Sequence, residues 1–188
     1  MKSILIFLLI IVSFNKIEAQ LLKFGFRLEP ALILTKENNN SDYGISPYGF
    51  YLTTSITPTE NLSIEVRPGY FIGHEYYGGF EIGSFLKWQI LSSKYFLVVG
   101  INNHSNTLLG SHNGGSGIAK NMLYKGIGFG YQKDSKLSFD ITYYWTNDKV
   151  FSYSRYFKYT STGEVYGTNY NEMNGILKVS FILSFNII

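Results

Sequence analysis

The chain of 188 residues has no cysteine and few charges. The absence of cysteine excludes disulfides, cysteine-ligated metals and lipidation at a cleavage-site cysteine. Charged residues make up 15% of the chain, against about 25% in typical soluble domains. The formal net charge is only +3, and without clustered basic residues the sequence lacks the features of a nucleic-acid-binding protein.

Long apolar runs are also missing. The most continuous one lies at the N-terminus, between residues 4 and 14, and only Ser13 interrupts it. This run is too short for a membrane-spanning helix, which needs about 20 residues, but it has the length of a signal-peptide h-region. Lys2 supplies the positive charge before it, and Ala19 suits a cleavage site. We therefore predict a signal peptide over residues 1–19 and one mature domain over residues 20–188.

Strand-like alternation dominates the mature sequence. Eight segments alternate between apolar and polar residues, and no sustained helical period appears in the mature chain. The last segment is typical, because one face carries only large apolar side chains and the other is mostly polar. The apolar face consists of Leu177, Val179, Phe181, Leu183 and Phe185. The pattern predicts eight strands, each with one apolar face.

The connections between these strands differ in length. Three short turns lie at the end that also holds both termini, at residues 57–61, 91–94 and 133–136. Three longer connections lie at the other end, at residues 35–43, 104–121 and 147–171, together with a brief one at residues 73–78. Outer-membrane barrels have this asymmetry, with short periplasmic turns and longer extracellular loops.

Aromatic residues make up 18% of the chain, and several lie near predicted strand ends. Trp88, Tyr95 and Tyr131 lie near the short turns, and Tyr70, Tyr143 and Trp145 lie toward the opposite ends. Amphipathic rings at both membrane interfaces form the aromatic girdles of membrane barrels. The placement favours two girdles.

The polar faces carry charges of both signs. A charge in a low-dielectric lumen is costly unless it is paired and hydrogen-bonded, and nearly balanced signs permit such pairing. Glycines on the same faces would relieve crowding in a narrow barrel. We therefore predict a structural polar network in the lumen, formed by Arg27, Glu29, Glu65, Arg67, Glu81, Lys87, Asp140 and Lys178.

Taken together, the signal peptide, the eight strands, the loop asymmetry and the terminal strand VSFILSF resemble the small eight-stranded outer-membrane barrels of the OmpA/OmpX type. The resemblance implies an all-β fold, an eight-stranded antiparallel up-and-down transmembrane β-barrel in a Gram-negative outer membrane. It further implies a monomer without cofactor that contacts outer-membrane lipid and lipopolysaccharide and is assembled by the outer-membrane insertion machinery. The family's last strand carries a C-terminal aromatic residue, whereas here Phe185 is followed by three residues and Ile188 is last.

Three alternatives to a structural or surface-interaction barrel remain open from the sequence. A soluble lipocalin-like binder would turn its apolar faces inward, and a small-solute pore would keep an open lumen. A lipid A-modifying hydrolase would need a serine beside a histidine, but His104 and Ser105 would point to opposite faces of a strand. No glutamate lies between Glu81 and Glu164 to orient that histidine. His74, His104 and His112 are interpreted as loop residues without metal-ligand spacing.

The segment of residues 149–170 predicts a hairpin that protrudes above the membrane. Its aromatic residues alternate with polar ones, and residues 161–164 form a turn signal. The candidate surface contacts for an extracellular partner of unknown identity are Tyr153, Arg155, Tyr156, Phe157 and Tyr159. Strand addition to the exposed edge is one way to bind such a partner. The alternative is that the hairpin caps the barrel or packs on the segment of residues 104–121.

Overall fold

The computed structural model describes residues 21–37, 40–91, 93–112, 115–161 and 163–187. The predicted signal peptide and Gln20 lie outside this part of the chain. None of the described residues belongs to a helix that could span a bilayer. The strands are β1 (Leu21–Leu28), β2 (Ala31–Glu37), β3 (Asn40–Ser46), β4 (Tyr48–Thr59), β5 (Leu62–His74), β6 (Tyr77–Gln89), β7 (Tyr95–Asn106), β8 (Ser111–His112), β9 (Gly115–Gly117), β10 (Lys120–Gln132), β11 (Leu137–Trp145), β12 (Val150–Thr160) and β13 (Gly163–Asn186).

The sheet closes on itself. Its strands follow the order β1, β4, β5, β6, β7, β10, β11 and β13, and β13 pairs back with β1. In this last antiparallel ladder, Phe26 lies opposite Leu183. All neighbouring strands of the ring are antiparallel. The predicted eight-stranded up-and-down barrel is therefore confirmed.

Two prolines separate the wall strands β1 and β4 from the β2–β3 hairpin above them. Pro30 separates β1 from β2, and Pro47 separates β3 from β4. A proline cannot donate to a ladder, so it interrupts regular pairing at that position. Pairing continues around the break, because the amide of Val179 donates to the carbonyl of Pro30 at 2.9 Å. The barrel wall thus extends upward through β2 and β3.

The outer surface of the barrel is apolar and the interior is polar. On β10, for example, Leu123 is 54% exposed whereas the next residue, Tyr124, is 1% exposed. The same alternation runs along the other strands, so that the predicted apolar faces point outward. A lipocalin-like barrel would have the opposite arrangement, and that alternative is wrong. An apolar surface around an edgeless sheet is what hydrocarbon requires, because every backbone polar group must be satisfied within the wall.

The turns at the end with both termini are short, as predicted. The turn between β10 and β11 is fixed by Asp134, whose carboxylate accepts hydrogen bonds from the amides of Lys136 and Leu137 at 2.8 Å each. These hydrogen bonds lower the pKa of Asp134 below its ordinary value, because they stabilise the charged carboxylate. The side chain of Asp134 is exposed in the turn.

The connections at the opposite end are largely strands, and the predictions of loops at residues 35–43 and 104–121 were wrong in part. The first forms the β2–β3 hairpin, in which Glu37 lies opposite Asn40. In the second, β7 continues to Asn106, and β8 and β9 follow. The sequence pattern predicts that these strands end at their polar residues. In the structure, the strands continue because neighbouring strands still pair with them beyond the apolar belt.

Replacement of Phe181 by arginine is predicted to destabilise the folded barrel by about 2–4 kcal/mol, because Phe181 faces outward near the middle of the part of β13 that pairs with β11 and β1. The matched control is Phe185→Arg, close to the end of the same strand, for which the expected cost is about 0–1 kcal/mol. Urea unfolding in phospholipid vesicles measures both. Equal costs at the two positions would contradict a lipid-facing belt.

Candidate functional site

The structure brings the eight predicted charged residues together inside the barrel. Seven are buried, and the side chain of Lys87 is 14% exposed at the lower end of the network. Four cations therefore face four carboxylates. The cations are Arg27, Arg67, Lys87 and Lys178, and the carboxylates are Glu29, Glu65, Glu81 and Asp140.

Arg27 connects the first strand with the last wall strands. Its Nη2 donates to Asp140 Oδ1 at 2.6 Å and to Ser180 Oγ at 2.6 Å. Its Nε donates to Glu29, and Ser180 Oγ also donates to Glu29 Oε1 at 3.0 Å. The guanidinium offers five donors in a fixed plane, which suits several acceptors at once. Arg27 thereby joins β1, β11 and β13 across the lumen.

Glu65 forms ion pairs with three cations. Arg67 donates its Nε to Glu65, and Lys87 Nζ lies 2.6 Å from Glu65 Oε2. Arg27 Nη1 is 3.7 Å from Glu65 Oε1, an ion pair without a hydrogen bond. The Arg67 guanidinium also lies over the Phe85 ring, 3.8 Å from its centroid, a cation–π contact. The carboxylate of Glu65 is thus compensated on several sides.

Glu81 accepts hydrogen bonds from a different set of donors. Its Oε2 accepts hydrogen bonds from Lys178 Nζ at 2.7 Å, from the Tyr51 hydroxyl at 2.6 Å and from Asn102 Nδ2 at 2.7 Å. Lys178 Nζ also donates to the Tyr51 hydroxyl at 2.6 Å and lies 3.4 Å from Glu29 Oε2. Burial of a charged carboxylate is unfavourable unless it is paired with a cation and hydrogen-bonded, and these donors provide both for Glu81.

His104 belongs to this network, and its interpretation as a loop residue was wrong. It lies on β7 and is fully buried, with Nδ1 2.9 Å from Glu81 Oε1. The carboxylate accepts this hydrogen bond, so Nδ1 carries the proton. The ring stacks on Tyr77 with centroids 4.2 Å apart. The glutamate that contacts His104 is Glu81, which lies opposite it on the neighbouring strand β6. The sequence interpretation missed this contact because it considered only glutamates between Glu81 and Glu164.

Ser105 does not complete a hydrolase site with His104. The two residues are adjacent on β7, His104 is fully buried in the lumen, and Ser105 lies on the other, half-buried face. His104 Nε2 has no hydrogen-bond partner within the described part of the chain. Nor do the described residues form a group of three or more metal-ligating side chains.

Aromatic and apolar side chains fill the lumen above the charged network. The Tyr77 hydroxyl donates to the Tyr124 hydroxyl at 2.8 Å, and Phe151 meets the Tyr77 ring edge-on at 5.5 Å between centroids. Met122 and Met173 are fully buried in the same core. The upper lumen is thus packed like a protein interior.

Glycines on the inner face make room for aromatic rings. A Cβ on Gly69 would lie 2.2 Å from the ring of Tyr51, its direct neighbour on β4. A Cβ on Gly130 would lie 2.2 Å from the ring of Phe96 on β7. Neither ring could lie so close to the wall if the glycine had a side chain. This agrees with the expectation that luminal glycines relieve crowding.

The hairpin of β12 and β13 presents an aromatic face above the barrel. Phe157 lies opposite Tyr166, and their ring centroids are 5.1 Å apart. Phe157 also meets Tyr159 edge-on at 4.6 Å. Tyr159 and Tyr166 are 73% and 74% exposed. These rings therefore pack on one another and leave most of their surface free.

The predicted surface contacts divide between the two faces of this hairpin. Tyr153 and Arg155 lie on the same face as Phe157 and Tyr159, and Arg155 is 5.7 Å from the Tyr153 ring. Tyr156 lies on the opposite face, where its ring covers Gly167. The sequence interpretation missed Tyr166 and Tyr170, which the register places opposite Phe157 and Tyr153.

The chain matches no protein-family model and no curated protein. Three similar solved structures are the Neisserial surface protein A (NspA), OprG from Pseudomonas aeruginosa, and Ail, the attachment invasion locus protein of Yersinia pestis. NspA is 15% identical with a TM-score of 0.47 and covers 86% of this chain and 97% of its own. OprG is 9% identical with a TM-score of 0.46, covering 89% and 97%. Ail is 11% identical with a TM-score of 0.44, covering 87% and 98%. The fold of this chain rests on its own strand registers, which close the sheet.

Replacement of Lys178 by methionine is predicted to destabilise the barrel by about 3–5 kcal/mol, because it leaves the buried carboxylate of Glu81 without its cation. The double variant Lys178→Met/Glu81→Gln restores the charge balance and is expected to be more stable than the single variant. The midpoint of urea unfolding of the refolded protein measures both effects. A single variant as stable as the parent would show that the network contributes nothing to stability.

Proposed function

We propose that this chain is a non-enzymatic protein of the Gram-negative outer membrane that contacts an extracellular partner through the β12–β13 hairpin. The observation that carries the proposal is the exposed aromatic face of this hairpin. A transmembrane strand needs about 9–11 residues, whereas β13 has 24. More than half of that strand therefore extends beyond the bilayer, at the end opposite the short turns.

The hairpin is anchored only at its base. There, β12 pairs with β9 between Ser152 and Ser154, and β13 pairs with β2 from Asn171 onward. Above these positions, the described strands leave both outer edges of the hairpin without a ladder partner. Pairing with β9, within the segment of residues 104–121, and with β2 thus accounts for the base and leaves the aromatic tip free, which favours a contact role over a cap.

An extended polypeptide segment is the partner that this geometry suits best. A free strand edge offers alternating backbone donors and acceptors, and the side chains beside it select the partner. On the aromatic face, Arg155 and Glu164 add one charge of each sign beside the exposed rings. Aromatic residues and arginine are the residue types that contribute most to protein interfaces.

The test uses proteoliposomes that carry the barrel, probed on an immobilised array of random 15-residue peptides. The parent protein is expected to be retained on a subset of peptides, and the triple variant Phe157→Ser/Tyr159→Ser/Tyr166→Ser is expected to lose that retention. The matched control is Tyr156→Ser, on the opposite face of the same hairpin, which should keep it. If the triple variant still binds, or if no peptide retains the parent, the hairpin is not a contact site for extended peptides.

A small-solute pore is the second candidate, and the packed lumen argues against it. The paired charges occupy the middle of the barrel, and the aromatic core around Tyr77 and Tyr124 lies above them. A recess of about 310 Å³ beside Lys23, Lys87 and Gln132 is confined to the lower end. In planar bilayers we expect no conductance steps. Reproducible steps that disappear in a Glu65→Ala/Arg67→Ala variant would instead make the protein a pore.

A further inference from the structure

We propose that the upper outer face of β10 and β11 binds one phosphorylated lipid of the outer leaflet, with Lys125 holding its phosphate. This rests on the proposed outer-membrane location. Lys125 is the one charged residue among the described outward-facing residues of β1, β4, β5, β6, β7, β10 and β11. Its side chain is exposed, and no residue that the structure describes forms an ion pair or hydrogen bond with it.

A lysine on this surface requires a physical reason. Near the middle of the bilayer a lipid-facing lysine costs about 2–4 kcal/mol, and near the interface it costs about 0–1 kcal/mol. All other outward positions on these strands are uncharged. Lys125 is therefore tolerated only where headgroups lie, and there it can pair with an anion.

The neighbours of Lys125 place it at such a boundary. A single row across four strands contains Ser84, Ile101, Lys125 and Trp145, each opposite the next in the ladders. Below this row the outer face is apolar, as at Val99 and Ile127. Above the row, β7 turns polar with Asn103 and Ser105, and β10 carries Leu123 and then Asn121. Trp145 beside Lys125 is the kind of residue that anchors barrels at this level.

The barrel wall opens beside Lys125. The ladder between β10 and β11 ends at the pair of Lys125 and Trp145, whereas β10 continues alongside β7 to Lys120. The wall is joined again higher up, where the amide of Ile118 donates to the carbonyl of Phe151 at 2.8 Å. Between these levels, no described strand pairs with the β11 side of β10. Unpaired peptide groups cannot face hydrocarbon, so this gap suits a polar headgroup.

Two recesses meet at this point. The upper one has a volume of about 320 Å³ and is lined by Asn121, Leu123, Lys125, Trp145 and the loop of residues 146–148. Asp148 in that loop is already engaged by Lys120 at 2.6 Å. The lower one, of about 500 Å³, is apolar and runs past Leu86, Val99 and Ile101.

Lys125 and Trp145 line both recesses. One amphiphile can therefore lay an acyl chain in the lower recess and its headgroup in the upper one. A free phosphate would use only the upper recess and would leave the apolar one uncovered. The site lies toward the end with the long hairpin, which the proposed orientation turns toward the outer leaflet. The occupant that fits is thus a phosphorylated glycolipid of the lipid A class.

The test uses Trp145, one of the two tryptophans of the chain, as a fluorescent reporter. In a Trp88→Phe background, Trp145 is the only tryptophan left, so its fluorescence reports occupation of the recess. The refolded barrel in detergent micelles is titrated with bisphosphorylated lipid A, with dephosphorylated lipid A and with inorganic phosphate. We expect a saturable change with the bisphosphorylated lipid only. Lys125→Met should weaken this binding about tenfold, because a hydrogen bond to a charged group is lost.

Two controls keep the test specific. Lys94→Met removes an exposed lysine at the opposite end of the barrel and should leave lipid A binding unchanged, and Lys125→Arg should retain it. Equal affinity of the Lys125→Met variant, or equal binding of the dephosphorylated lipid, would overturn the proposal. Binding of inorganic phosphate as tight as that of lipid A would overturn the choice of occupant. Retention on the peptide array is measured separately, so failure of lipid binding is distinguishable from failure of the hairpin function.

Discussion

The antiparallel ladder between β1 and β13 is the interaction on which the rest of the structure depends. Without it, two strands of the wall would expose unpaired backbone groups to hydrocarbon, where each costs several kcal/mol. The ladder joins the first described strand with the last one, with Phe26 opposite Leu183. Closure therefore requires nearly the whole chain to be in register at once.

Closure at eight strands also decides what the interior can be. An eight-stranded barrel leaves a lumen just wide enough for side chains, so the charges that alternation directs inward cannot be surrounded by bulk water. They pair with each other instead, through Arg27 and Asp140 at one level and Lys178 and Glu81 at another. The equal numbers of cations and carboxylates follow from this constraint.

Alternation along the sequence was sufficient to predict the barrel, the outward faces and the eight charged residues of the lumen. It could not predict which of them meet, because that depends on register between strands distant in sequence. Glu81 and Lys178 are 97 residues apart. The same limit explains why Tyr51 and Asn102 were missed as partners of Glu81. His104 was misplaced because its polar neighbours suggested a loop, whereas the ladder with β10 continues past it.

The position of Lys178 on β13 couples the closing ladder to the electrostatics of the lumen. Lys178 is the cation that Glu29 and Glu81 share. A barrel in which β13 is not docked holds an excess of negative charge in its lumen, which water must solvate through the open seam. Docking of β13 brings the missing cation, removes that water and closes the ladder in the same event. The ion pairs of Lys178 therefore form only when the seam closes, so states with an open seam are disfavoured relative to the closed barrel.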